Sequence, residues 1–218
     1  MYNPTAFRES DVDRLLAQIS DCGLALLITH GSEGLQASHV PLLLKREGDQ
    51  ATLQGHLAKA NPQWHDLAAG TPALVVFSGP DAYVSPGFYP SKADNPSVVP
   101  TWNYISVQVR GTPFIFHDPE QLHAVVEALT QRHEAQRAEP WSISDAPPAY
   151  IQKMLTAIVG FSIAIEHIEG KRKLSQNRSA ADVQGVRDAL AASTHSGDRA
   201  LASAMGAGPI VQPTRDTP

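Results

Sequence analysis

Strand-like runs cut by glycine and proline dominate this chain and narrow its fold more than any other feature. Between Gly23 and Leu57 three of them follow one another, GLALLITHG, LQASHVPLLLKREG and QATLQGHL, separated by glycine-containing turns. Apolar and polar residues alternate along them with the period of a half-buried strand, and turns this short join neighbours into an antiparallel meander. Further on, PALVVFSGPDAYVSP reads as two strands around Gly79-Pro80, and YISVQVRGTPFIFHD as a long bent pair broken at Gly111 and Pro113. IVGFSIAIEHIEG reads as the last strand, with Phe161, Ile163 and Ile165 on one face. That is enough strand to close a barrel, and the expected class is mainly β with flanking helices.

The helices announce themselves by their caps. Ser10 with Asp13 resembles a capping box, and Val12, Leu15, Leu16 and Ile19 follow at helical spacing until Cys22-Gly23. Asn61-Pro62 opens a helix to Ala69, and Asp118-Pro119-Glu120 opens one carrying Leu122, Val125, Val126 and Leu129. Two more are expected over Pro148–Thr156 and from about Ala180 to Ala192. With 218 residues the chain can bury a core without staples, and one domain over residues 1–192 is expected, followed by a disordered tail over 193–218. GFYPSKADNPSVVPTWNY is too long and too rich in proline for an idle turn, which marks it as a functional loop.

Composition removes several classes of function. A net charge of −5 gives no general attraction to nucleic acid or to an anionic membrane. A single cysteine excludes an internal disulfide framework and fits a reducing cytoplasm, and no apolar run approaches the roughly 20 residues of a membrane span. The nine histidines form no close-spaced ligand set, so no metal site is expected. P-loop, zinc-protease, dinucleotide and nucleophile-elbow signatures are all missing, and no catalytic residue can be named.

Four groups of residues could carry chemistry. In LQGHLAKANPQW, His56 and Lys59 precede a helix start, where backbone N–H groups favour an anion; a solvated loop with a surface lysine is the plainer reading. His39 and His56 lie on adjacent expected strands and could face one another across a pocket, or be two core-edge histidines bonded to backbone. Trp102 and Tyr104 at a strand entrance could stack a flat ring or simply pack. In GKRKLSQNRS, Lys171, Arg172, Lys173 and Arg178 crowd a short segment, and Arg178 could fork onto a phosphate or carboxylate. A solvated basic loop is the alternative there, and a nucleic-acid patch fits an acidic chain poorly.

Taken together, MYNPTAF, SHVPLLL, GHLAKANPQW, VVFSGPDAYVSPGFY, VPTWNY and KLSQNRS resemble the PaiB-type FMN-binding negative transcriptional regulators over about the first 190 residues. The resemblance implies an FMN-binding split β-barrel related to the pyridoxamine-phosphate oxidase group, built as a homodimer with FMN at the subunit interface. It implies flavin contacts from Ser38, His39 and Val40, from His56, Leu57, Ala58 and Lys59, from Trp102 and Tyr104, and from Gln176, Asn177 and Arg178. Lys59 and Arg178 would meet the phosphate, while Val40 and Leu57 would lend backbone groups to the ring. Where the oxidase branch carries an arginine on its early flavin strand, Ser38 and His39 stand here. The function implied is a cytoplasmic regulator responsive to flavin, redox state or a metabolite, with direct DNA binding disfavoured by the lack of an evident helix-turn-helix and by the net charge of −5. An FMN-dependent oxidoreductase is the alternative, and a haem-binding barrel a weaker one.

Overall fold

The computed structural model describes residues 1–206. Its first elements are β1 (Arg8–Glu9), α1 (Val12–Asp21), β2 (Ala25–Gly31), β3 (Gly34–Val40), β4 (Leu43–Glu47), β5 (Gln50–Ala58), α2 (Gln63–Ala68) and β6 (Ala73–Val84). Then come β7 (Thr101–Gly111), β8 (Pro113–Phe116), α3 (Pro119–Glu134), α4 (Pro148–Leu155), β9 (Ile158–Ala164), β10 (His167–Lys173), α5 (Ala180–Ala191) and α6 (Ser196–Gly206). The chain is mainly β with flanking helices and divides into two compact units. The first comprises residues 1–15, 78–107 and 169 onward; the second comprises 16–77 and 108–168.

In the second unit, β4, β5, β9 and β8 form an antiparallel sheet in that order, while β3 pairs β2 and β2 pairs the start of β6. The β4–β5 hairpin closes with Glu47 opposite Gln50, and Gly48 supplies the left-handed φ of +61° that its two-residue turn requires. Leu53, Gly55, Leu57, Phe161 and Ile163 are buried on one face of the sheet. On the other, Leu43 and Phe116 pack with Leu122, Val125 and Leu129 of α3 and Leu155 of α4. Each such side chain, fully buried, contributes roughly 1.5–3 kcal/mol. A polar network docks α2: the Gln63 amide donates to the carbonyls of Leu27 and Gln36 and to the Thr29 hydroxyl, while Thr29 and Gln36 donate to Asp66. Gln63 is fully buried, and these bonds satisfy its amide N–H donors, while its Oε1 has no hydrogen-bond partner.

In the first unit the strand order is β1-β10-β7-β6. Ala82, Val84 and Ile105 from the sheet pack with Val186 and Leu190 of α5 and Leu201 and Ala202 of α6.

Several expectations change. Asp11, not Ser10, caps α1, because its carboxylate accepts from the N–H groups of Asp13 and Arg14. LQASHVPLLLKREG is two strands in different sheets, parted at Pro41-Leu42. PALVVFSGPDAYVSP is a single strand: Pro80 lies beyond the rungs that Leu74, Val75 and Val76 make with β2, so its missing N–H costs that ladder nothing. IVGFSIAIEHIEG is not the last strand alone, since the chain turns at Ile165-Glu166 into β10, which includes Lys171, Arg172 and Lys173. Part of the expected loop before Thr101 winds into short 3-10 helices at Pro86–Phe88 and Pro90–Ala93. Finally, the expected disordered tail over 193–218 contains α6, ordered by burial of Leu201 and Ala202; residues from 207 lie outside the described residues.

Candidate functional site

In the second unit, the anticipated residues on β3 and β5 have distinct surroundings. His39 is exposed opposite Leu26, while Val40 is buried opposite Ala25. Ser38 accepts a hydrogen bond from the Asn61 side chain at 2.9 Å, and Asn61 in turn accepts from the Gln63 N–H at 3.0 Å. The donor expected to form an anion seat at this helix start is therefore used by the chain's own cap. Leu57 is buried and Ala58 exposed. Lys59 donates through its ammonium to the Thr156 carbonyl at 2.7 Å and through its backbone N–H to Ala157. A cation at the carbonyl end of α4 is where the helix dipole favours it.

His39 and His56 do not lie on adjacent strands: β3 pairs with β2, whereas β5 lies between β4 and β9. His56 stands opposite Gly160, which stands opposite Phe116, so the three share one sheet face. The Phe116 ring occupies the space that a Cβ on Gly160 would fill, 2.1 Å from that position. His56 thus faces the apolar layer under α3 and α4, and its Nδ1 is buried without a hydrogen-bond partner. Burial pushes its imidazole pKa below the ordinary value of 6.5. Below about pH 6.5 the unfolded chain takes up a proton that folded His56 refuses, so its contribution is full above that pH and is lost as pH falls towards the folded value. Urea titrations across pH 5–8, on about the scale where histidine titrates, should show His56→Asn with a shallower loss of stability at the acid end than the parent.

In the first unit the aromatic and basic residues come together. Trp102 and Tyr83, both about half exposed, meet edge to face with centroids 6.0 Å apart. The Lys171 ammonium lies 5.2 Å from the Tyr104 ring centroid and 5.4 Å from that of Tyr2, and donates to the Tyr2 carbonyl. Lys171 is only 6% exposed, an unusual position for a charge. Lys173 donates to the Thr101 hydroxyl. Burial, opposed by Tyr104 and reinforced by the charges of Lys171 and Arg178, pushes its ammonium pKa down. The Arg178 guanidinium lies 4.7 Å over the Tyr89 ring. Among the described residues no carboxylate stands within ion-pair distance of Lys171, Lys173 or Arg178.

Not every anticipated residue here is free for a ligand. The Gln176 amide serves its own turn, accepting from the Leu174 N–H and donating to the Arg172 carbonyl, whereas Asn177 is exposed. Sequence reasoning flagged the basic cluster but chose no site residue from β10, and it passed over Tyr89 and Asn103. The alternation around Trp102 and Tyr104 could have shown that Asn103 points inward as a buried polar residue; nothing local marks Tyr89.

A family described as "Putative FMN-binding domain" matches residues 1–167. The protease synthase and sporulation protein PAI 2 of Bacillus subtilis is 30% identical over 190 residues, covering 87% of this chain and 89% of that protein. This chain belongs to the PaiB-type FMN-binding family. Among solved structures, the FAD and Heme binding protein of Mycobacterium smegmatis matches at a TM-score of 0.55 and 22% identity, over 76% of this chain and 73% of that one. The conserved hypothetical protein Rv2991 of Mycobacterium tuberculosis matches at 0.57 and 13% identity, over 82% and 94%. Both are likenesses of fold.

FMN is the cofactor to which this family's domain is matched, and the first unit of this PaiB-type chain suits its phosphate. It offers three cations without carboxylate partners, and near them the buried Tyr89 hydroxyl and Asn103 Oδ1 lack hydrogen-bond partners. A separate cleft of about 330 Å³ in the second unit, lined by the end of α3 and by Trp141, holds none of the anticipated site residues. No helix among the described residues is long and apolar enough to cross a membrane, and no group of three or more His, Cys, Asp or Glu could hold a metal.

Proposed function

We propose that this chain is an FMN-binding homodimeric regulator of the PaiB type, in which flavin occupancy or redox state sets the regulatory output. The observation that carries the reading is the cationic cluster of Lys171, Lys173 and Arg178 beside Tyr104, left without acidic partners. Buried positive charge is costly unless an anion answers it, and a phosphate dianion is such an anion. Arg178 forks onto the phosphate and Trp102 offers an exposed aromatic face to a flat ring. The same reading assigns Ser38, His39, Val40, Leu57, Ala58 and Lys59, and Tyr104 and Asn177, to flavin contact; His56, turned to the apolar layer, and Gln176, spent on its own turn, drop out of the anticipated set. Val40 and Leu57 contribute backbone groups to the ring, and Lys59 a second charge to the phosphate. When bound, FMN supplies one- and two-electron redox chemistry, while the protein binds and orients it.

The regulatory part is tested by comparing transcripts in a strain lacking the gene with the same strain carrying either the parent chain or Arg178→Ala. Genes that change on deletion and are restored by the parent but not by Arg178→Ala support flavin-linked regulation. A transcript profile indifferent to deletion contradicts it. Sedimentation of the purified chain at twice the chain mass is expected for the homodimer.

A further inference from the structure

We infer that Tyr89 is a positioning residue that presents Arg178 to the flavin phosphate and thereby sets the preference for phosphorylated over unphosphorylated flavin. The inference rests on the proposed role of Arg178 as a phosphate anchor and adds to it the device that keeps this arginine available.

Arg178 lies over Tyr89, with its guanidinium carbon 4.7 Å from the ring centroid. Such a stack uses the flat face of the guanidinium and leaves the N–H edge, which forks onto phosphate oxygens, pointing away from the ring. Tyr89 is only 3% exposed, and its hydroxyl has no hydrogen-bond partner, so the ring rather than the hydroxyl does the holding.

Both sides of the stack are fixed to the start of α5. Tyr89 sits between the two short 3-10 helices, and the second of these is stapled to α5 by Ser91, whose N–H and hydroxyl donate to Asp182 at 3.1 and 2.8 Å. The same helix comes so close to this loop that a Cβ on Gly185 would stand 2.3 Å from the Phe88 carbonyl oxygen. On the other side, Arg178 donates its N–H to the Ser175 carbonyl at 2.9 Å, closing a turn that begins with Ser175 at φ +67°. That uncommon conformation for a residue with a side chain is held by Asn103, which donates to the Ser175 hydroxyl at 2.9 Å. Ser179, next in the chain, caps α5.

The placement of Asp182 explains why Arg178 remains unpaired. Burial alone would raise the Asp182 pKa, but hydrogen bonds from Ser91 and Ser179 and the charge of Arg178 outweigh it and hold the carboxyl below its ordinary value. The carboxylate attracts the arginine at a distance while spending its oxygens on Ser91. A salt bridge would have satisfied Arg178; the aromatic platform orients it and leaves its donors unspent.

The test is a pair of fluorescence titrations, with FMN and with riboflavin, on the full chain and its variants. The parent is expected to bind FMN at least about a hundredfold tighter than riboflavin, the scale of a charge-assisted fork on a phosphate. Tyr89→Phe should keep that ratio and Tyr89→Leu should bring it to about threefold or less, with riboflavin affinity unchanged as the sign of an intact fold. Arg178→Lys, at a partly exposed position, keeps the charge but loses the planar stack, and it should lose the ratio as Tyr89→Leu does. Either Tyr89→Leu or Arg178→Lys retaining the full preference would overturn the role of Tyr89. Equal affinity of the parent chain for both flavins would remove the phosphate anchor itself, and this inference with it.

Discussion

Gly111→Ala is expected to destabilise the protein by about 3 kcal/mol or more, enough to unfold a chain of ordinary marginal stability near physiological temperature. A Cβ at this position would stand 1.8 Å from the backbone carbonyl oxygen of Ala164 and 3.0 Å from the Ile163 side chain. A flexible side chain could rotate away, but the obstruction is backbone at the end of β9, where the next residues are tied in by Glu166 donating to the Arg110 carbonyl. Relief therefore requires β7 and β9 to separate. Thermal or urea unfolding reads the effect directly, and Gly23→Ala is the control: its Cβ would meet only the His133 ring at 3.9 Å, an ordinary contact. A Gly111→Ala protein as stable as the Gly23→Ala control would contradict the close approach of these strands.

The second large effect concerns the ligand. Arg178→Ala is expected to weaken FMN binding by about two orders of magnitude while leaving riboflavin affinity nearly unchanged, because a charge-assisted fork on a phosphate is worth about 3 kcal/mol and riboflavin offers no phosphate to lose. The variant should fold. Arg178 is partly exposed, its side chain makes no hydrogen bond or ion pair among the described residues, and what is given up is its stack on Tyr89 and its attraction to the Asp182 carboxylate at a distance. Isothermal titration with both flavins separates the outcomes: parallel losses for FMN and riboflavin would place Arg178 against the ring or in the fold, not at the phosphate.

Much of the fold was legible because local chemistry specifies it. Asp118-Pro119 announces a helix whose cap accepts from the Gln121 N–H as the spacing requires, whereas α2 begins at Gln63, one residue later than read, with Asn61 accepting from the Gln63 N–H. Misreadings occurred where a local signal depends on a distant partner. Pro80 looks like a break until the ladder shows which N–H groups are needed, and SHVPLLL looks continuous until its halves find partners in different sheets. α6 has a weak local signature and owes its order to Leu201 and Ala202 packing in the core.

The candidate site divides in the same way. Arg178 is marked by a motif, and its basic neighbours by simple clustering. Lys171, by contrast, reads as a surface lysine until Tyr2 and Tyr104, distant in sequence, close around it. The pairing of His39 with His56 failed for the opposite reason: β4 intervenes between their strands, which pair in different sheets, and His56 turns towards the apolar layer under α3.

The central claim is that this chain holds FMN through its phosphate in a cationic, aromatic site, and it is tested most directly by titrating freshly purified protein with FMN while following flavin fluorescence. Saturable quenching approaching one FMN per chain, weakened by salt as an ionic phosphate contact requires, is the expected result. Fluorescence that stays that of free flavin through the titration would contradict it.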